Sequence, residues 1–207
     1  MELSNKMQKE MQEKTSVNKQ TDDWPAFFKL CPSIFARSII QNALNTFIPL
    51  YWVSVLLQTQ KQGSLMVTVM AFASATAAFT GGRLSDRFGF RRVIRGAFAA
   101  IFPLFILVLM TRNVWLATVL TAVLAAMPHF AHAPSVVLGQ KYLPNKMGLA
   151  SGVTLGLSVS VGGICSPLLG KIGDSYGLTT VLYVAAGVAL AGFFATLLIK
   201  EPTNFEK

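Results

Sequence analysis

Arg37, Gln41 and Asn45 recur every four positions inside one long apolar stretch, and that spacing places three polar side chains on a single helical face. A guanidinium at that depth could draw an anionic or phosphonate-like small molecule, with the two amides as neighbouring hydrogen-bonding groups. The alternative for Arg37 is structural, with the side chain snorkelling to the interface or bonding helix carbonyls. A second pair, His129 and His132, lies three residues apart between Pro128 and Pro134. Imidazoles titrate near neutral pH and could relay protons, while the prolines remove helix hydrogen bonds and favour a kink. Hydrogen-bonded packing histidines fit the same pattern. Two histidines are too few for a zinc site, so no metal is expected.

A third stretch, "GGRLSDRFGFRR" from Gly81 to Arg92, concentrates charge between two apolar segments. Asp86 there can accept charge-assisted bonds from Arg87, Arg91 or Arg92. Gly82 permits close helix approach and Gly89 a tight turn.

The elements that must position these residues follow from composition. The 207 residues are 53% hydrophobic and only 13% charged, about half the charged fraction of a soluble domain. The apolar runs are too long for a globular core, so the bilayer is the expected solvent. Barrel strands would alternate over about ten residues, whereas these runs do not, so the expectation is an all-α integral membrane protein. Six spans are predicted, at about residues 27–57, 65–82, 93–110, 114–138, 147–169 and 178–199. They divide the chain into a polar N-terminal tail (1–26), a six-helix transmembrane bundle (27–199) and a short C-terminal tail (200–207). Arg37 falls inside the first span, where a charge costs about 2.5–3.5 kcal/mol on insertion scales and normally faces a cavity or a partner.

Fourteen lysines and arginines fall in, or within three residues of, the tails and the second-to-third and fourth-to-fifth connections, against three in the other connections. The positive-inside bias then makes both termini cytoplasmic. The net charge of +9 does not indicate nucleic-acid binding, because the basic residues form islands rather than one basic face. Cys31 and Cys165 both lie in apolar runs and read as packing residues. The tail lacks an apolar segment and is not a secretory signal.

The loop motif has an echo. "GGRLSDRFG" closes the second span and "LGKIGDSYG" the fifth, sharing Gly-x-x-x-Asp-x-x-Gly at Gly82, Asp86, Gly89 and at Gly170, Asp174, Gly177. Equivalent places in two triplets of spans predict a 3+3 inverted repeat. In the fifth span, Gly152, Gly156, Gly162, Gly163 and Pro167 mark a helix built for close packing and bending.

The pattern Gly82-x-x-x-Asp86-Arg87-x-Gly89-x-Arg91-Arg92 resembles the loop between the second and third helices of each half in the major facilitator superfamily. That resemblance implies one half of a major facilitator fold, with Asp86 and the arginines forming a conformational latch. More narrowly, Val136 to Leu178 and "FIPLY" at Phe47 to Tyr51 resemble the carboxyl half of fosmidomycin-resistance-type efflux proteins. The resemblance implies secondary transport of a small drug-like or anionic metabolite, with proton-coupled efflux, in a bacterial inner membrane. It also implies that Gly162, Gly163 and Pro167 help seal the cavity. Expected partners are the lipid bilayer, a small-molecule substrate, and a second six-helix half or a second copy; no cofactor is implied. A membrane enzyme would need an acidic cluster or an activated nucleophile at membrane depth, and the spans offer neither. A truncated or accessory protein without transport of its own is the remaining alternative.

Overall fold

The computed structural model describes residues 21–200, and the expected tail up to residue 20 and residues 201–207 lie outside them. Every regular element among the described residues is helical. Helix α1 runs Trp24–Ser54, α2 Gln60–Phe88, α3 Phe90–Met110, α4 Val114–Phe130 and α5 His132–Tyr142. A 3-10 turn, Pro144–Lys146, then leads through α6 (Met147–Ser151) and a π-helical turn (Gly152–Leu157) into α7 (Ser158–Tyr176), and α8 spans Leu178–Leu197.

The helix starts are written locally. Asp23 accepts from the Ala26 N–H at 3.0 Å, with Pro25 in the first turn of α1. Thr59 and Gln62 form a reciprocal capping box at α2, and Asn113 caps Trp115 and Leu116 at α4. Two glycines do double duty. Gly89 (φ 91°, ψ 143°) ends α2 and begins α3, and Gly177 (φ 89°, ψ 158°) ends α7 and begins α8. The repeated sequence motif thus folds into a repeated elbow, each made of one residue in a backbone region that side-chain-bearing residues avoid.

Five helical segments are long and apolar enough to cross a bilayer: Gln60–Phe88, Phe90–Met110, Val114–Tyr142, Pro144–Tyr176 and Leu178–Leu197. The first expected span is helical through Ser54, three residues short of its expected end, but is not among them. The polar face of Arg37, Gln41, Asn42 and Asn45 dilutes its hydropathy. It tolerates that dilution because it is packed inside the bundle, against α8, α7 and α2. The fourth span is one segment broken at Ala131, between α4 and α5. Pro134 has no N–H to return to the Phe130 carbonyl, which accounts for the break.

One end of the bundle is tied together by polar contacts. The Asp23 N–H donates to the Tyr142 carbonyl (2.7 Å), and the Tyr142 hydroxyl donates to the Lys200 carbonyl. Arg95 at the start of α3 donates to the Thr196 and Leu197 carbonyls at 3.0 and 2.7 Å. Lys146 lies 5.0 Å from the Trp24 ring centroid and Lys141 4.5 Å from that of Phe90. The start of α1, the α2–α3 elbow, the α5–α6 connection and the end of α8 therefore share this end. Since α8 finishes here, its start at Gly177 lies about 30 Å away at the far end. The two elbows sit at opposite ends, as an inverted pair of triplets requires.

Candidate functional site

Halfway along α1, Arg37 is only 3% exposed. Its Nη1 donates to Gln41 Oε1 at 2.8 Å. Gln41 Nε2 in turn lies 3.1 Å from His129 Nε2 on α4, and His129 Nδ1 lies 3.1 Å from the Ala125 carbonyl oxygen. The direction of every bond follows from chemistry. A carbonyl only accepts, so Nδ1 carries the ring hydrogen; in the neutral imidazole Nε2 is then an acceptor, and the Gln41 amide donates to it. Arginine only donates, so Oε1 must face it. The result is a one-way relay from Arg37 through Gln41 and His129 to Ala125. Ser74 of α2 donates to the same carbonyl at 3.2 Å, joining a third helix to the group.

The relay leaves Arg37 incomplete. Its Nε is buried without a hydrogen-bond partner. The acidic residues among those described are Asp22, Asp23, Asp86 and Asp174, all at helix ends, so no carboxylate balances the guanidinium inside the bundle. An unbalanced charge removed from water costs several kcal/mol, about 3–5 where a partner has been stripped away. The Nε is thus a buried donor left without an acceptor, on a group whose geometry matches a carboxylate, sulfonate or phosphonate oxygen pair.

Asn45, one turn beyond Gln41, is exposed rather than part of the relay. With His129, Ser74 and small residues of α2 it lines a cavity of about 470 Å³ between α1, α2 and α4. His132 opens α5 just past the break, partly buried, and it shares an electrostatic neighbourhood with Arg37 and His129 without a hydrogen bond to either. Four of the five expected pathway residues, Arg37, Gln41, His129 and His132, are therefore gathered in one neighbourhood, with Asn45 on the cavity wall.

At the α2–α3 elbow the arginines do not bond Asp86 as the sequence suggests. Arg83 stacks 3.9 Å from the Phe79 ring centroid and Arg87 lies 5.6 Å from that of Phe88. Arg91 Nε is buried without an acceptor, and Arg92 borders an apolar groove beside Phe130. The charge that Asp86 acts on is Lys141, at the end of α5. The close helix approach also belongs to a different glycine. A Cβ on Gly81 would collide with the Phe130 backbone, whereas one on Gly82 would only touch Ala133 at 3.9 Å. The double glycine was the signal, but the sequence did not say which of the two faces inward.

The fifth-span residues divide similarly. Gly162 packs against Ser38 and Asn42 of α1, where a Cβ has no room, while Gly152, Gly156 and Gly163 face open space. Gly152 opens the π-helical turn and Gly156 lies within it; Pro167 lies inside α7. The Ser38 hydroxyl donates to the Ser158 carbonyl at 2.5 Å, tying α1 to α7 just past that turn. The close contacts of Gly139 with Thr154 and of Gly192 with Phe98 and Ala36 were not singled out by sequence reasoning.

Long apolar helices, a guanidinium buried among them and a half-open cavity beside it describe a membrane-helix bundle. The Major Facilitator Superfamily profile matches residues 30–207, and the chain belongs to that family of transporters. It is 31% identical over 156 residues to the uncharacterised MFS-type transporter YfnC of Bacillus subtilis, covering 75% of this chain and 38% of that protein. It is 25% identical over 174 residues to the fosmidomycin resistance protein of Escherichia coli K12, covering 84% and 42% of the two chains. Against the multidrug resistance protein MdtG of Serratia proteamaculans it is 33% identical over 167 residues, covering 77% and 40%. The crystal structure of the major facilitator transporter FucP in its outward conformation superposes with a TM-score of 0.74 at 17% identity, covering 85% of this chain and 42% of that one. The chain spans about two-fifths of the length of each of these relatives.

Proposed function

We propose that the chain acts as the C-terminal half of a secondary transporter that exports a small drug-like or anionic molecule in exchange for protons. Arg37 carries this reading: a buried guanidinium with an unsatisfied Nε and no counter-ion among the described residues favours an anion as its partner. The names of the relatives, resistance to fosmidomycin and to multiple drugs, favour export and a small organic substrate. His129 and His132 are the proton-exchanging groups of this half. The elbow of Gly82, Asp86, Arg87, Gly89, Arg91 and Arg92 is its latch, with Lys141 as the charge that Asp86 holds and releases. Alternating access requires a second bundle, supplied by a partner half or by a second copy of this one. The basic end, with both termini, faces the cytoplasm of a bacterial inner membrane.

Proteoliposomes containing the chain, with an imposed pH gradient and a pH-sensitive dye inside, test this. Adding fosmidomycin should dissipate the gradient, and Arg37→Ala should reduce that signal to the level of empty vesicles. Full dissipation by Arg37→Ala would remove Arg37 from the substrate path. The second reading is an accessory membrane protein with no flux of its own. Native mass measurement distinguishes the two, because a lone six-helix monomer without flux supports the accessory role.

A further inference from the structure

Beside the α2–α3 elbow the surface of the bundle opens into a groove of about 390 Å³. Leu84 and Phe88 of α2, Val93 of α3, and Met127 and Phe130 of α4 supply its apolar walls. Gly96 also lines it, and a Cβ there would meet no other atom within 4 Å, so the groove stays open along α3. Among the described residues that line it, only Arg92 is charged, and Arg92 is exposed. The apolar run of α3 begins at Val93, directly after Arg92. The groove therefore lies inside the hydrocarbon edge of the bilayer, with Arg92 at headgroup level.

The protein does not balance the cations at this mouth. Asp86 is the acid of the elbow, and its charge acts on Lys141. Arg92 makes no hydrogen bond or ion pair with another described residue. Arg87 lies 5.6 Å from the centroid of the Phe88 ring that lines the groove, which brings a second exposed guanidinium to the rim. Apolar walls at that depth suit a hydrocarbon chain rather than a water-soluble metabolite, and a cation at the mouth suits a phosphate.

We propose that the groove is a site for an anionic phospholipid, with the phosphate on Arg92, Arg87 beside it, and one acyl chain along the apolar walls. A planar guanidinium meets two phosphate oxygens at once, and basic pockets between membrane helices favour charged headgroups. A zwitterionic lipid offers the same chain, but its own ammonium opposes the arginines. A seated chain touches both arms of the elbow and the end of α4 that packs on Gly81, so the lipid bears on the segment proposed as the latch.

The test is native mass spectrometry of the full chain in detergent, titrated with dioleoyl phosphatidylglycerol or with dioleoyl phosphatidylcholine, which has the same chains and no net charge. Wild type should bind phosphatidylglycerol at least about fivefold more tightly, the effect of one arginine at a lipid surface. Arg92→Gln should erase that preference and leave phosphatidylcholine binding unchanged. Arg112→Gln, beyond the opposite end of α3, should leave the preference intact. Gly96→Leu keeps every charge but projects a side chain into the groove, and it should weaken both lipids about tenfold, the equivalent of two displaced methylenes. Should Gly96→Leu fail to elute as a folded species, competition on wild type takes its place: glycerol 3-phosphate, a headgroup without chains, should not displace phosphatidylglycerol. Equal wild-type affinity for the two lipids, or a preference that survives Arg92→Gln, would overturn the site. A preference lost equally in Arg112→Gln would reduce it to diffuse charge attraction and overturn it as well. Undiminished binding by Gly96→Leu, or displacement by glycerol 3-phosphate, would show that no chain lies in the groove.

Discussion

At the scale of single residues, Arg37 is where stability and function oppose each other. A cation held out of water without a counter-ion destabilises the bundle, and replacing it by an apolar group of similar length removes that cost. Arg37→Met should therefore melt no earlier than wild type in a detergent thermal scan while losing anion binding entirely. A large drop in melting temperature would mean that Arg37 is a structural strut. The polar relay was legible before the structure because four-residue spacing fixes a helical face regardless of tertiary detail. What spacing does not fix is where that face ends. Asn45 continues the stripe in sequence but stands exposed on the cavity wall, and the partnership of Gln41 with His129 bridges helices 88 positions apart. The glycines make the same point. Gly81→Ala should cost about 1–3 kcal/mol through overlap with the Phe130 backbone, while Gly82→Ala should change stability by less than about 0.5 kcal/mol. Comparing the two melts separates them.

At the scale of elements, hydropathy located the spans to within several residues, because lipid imposes length and apolarity on any helix that faces it. It served least well for α1, which is shielded by other helices and is under no such demand. Helix ends were extended beyond the apolar runs wherever a cap or an elbow allowed, as at Thr59 for α2 and Tyr176 for α7. The echo between the two glycine motifs was visible as three matching letters, and its backbone meaning, a positive φ shared by two helices, emerged only in three dimensions. Gly89→Ala and Gly177→Ala should each cost about 1–3 kcal/mol, seen as a lower melting temperature, and equal penalties would mark the elbows as equivalent. On α7, Gly162→Ala should loosen the contact with Ser38 and Asn42 and destabilise, whereas Gly163→Ala, facing open space, should not. Both are read in the same assay.

At the scale of the whole molecule, the basic end is knitted by contacts among the start of α1, the α2–α3 elbow, the α5–α6 connection and the end of α8. Phe88 and Tyr176 are both exposed at the outer rims of their elbows, 48% and 75% respectively. Single cysteines placed there should react with an impermeant thiol reagent from opposite faces of sealed vesicles, in a background with Cys31 and Cys165 replaced. Reaction from the same face would contradict the inverted arrangement. Each elbow also has a mechanical corollary. With one residue between them, two helices have no slack, so a tilt of the first must swing the second like the arms of a bell crank. Placed at opposing rims, the pair would turn a squeeze on one surface into a spreading of the other, without any stretch of chain needing to melt.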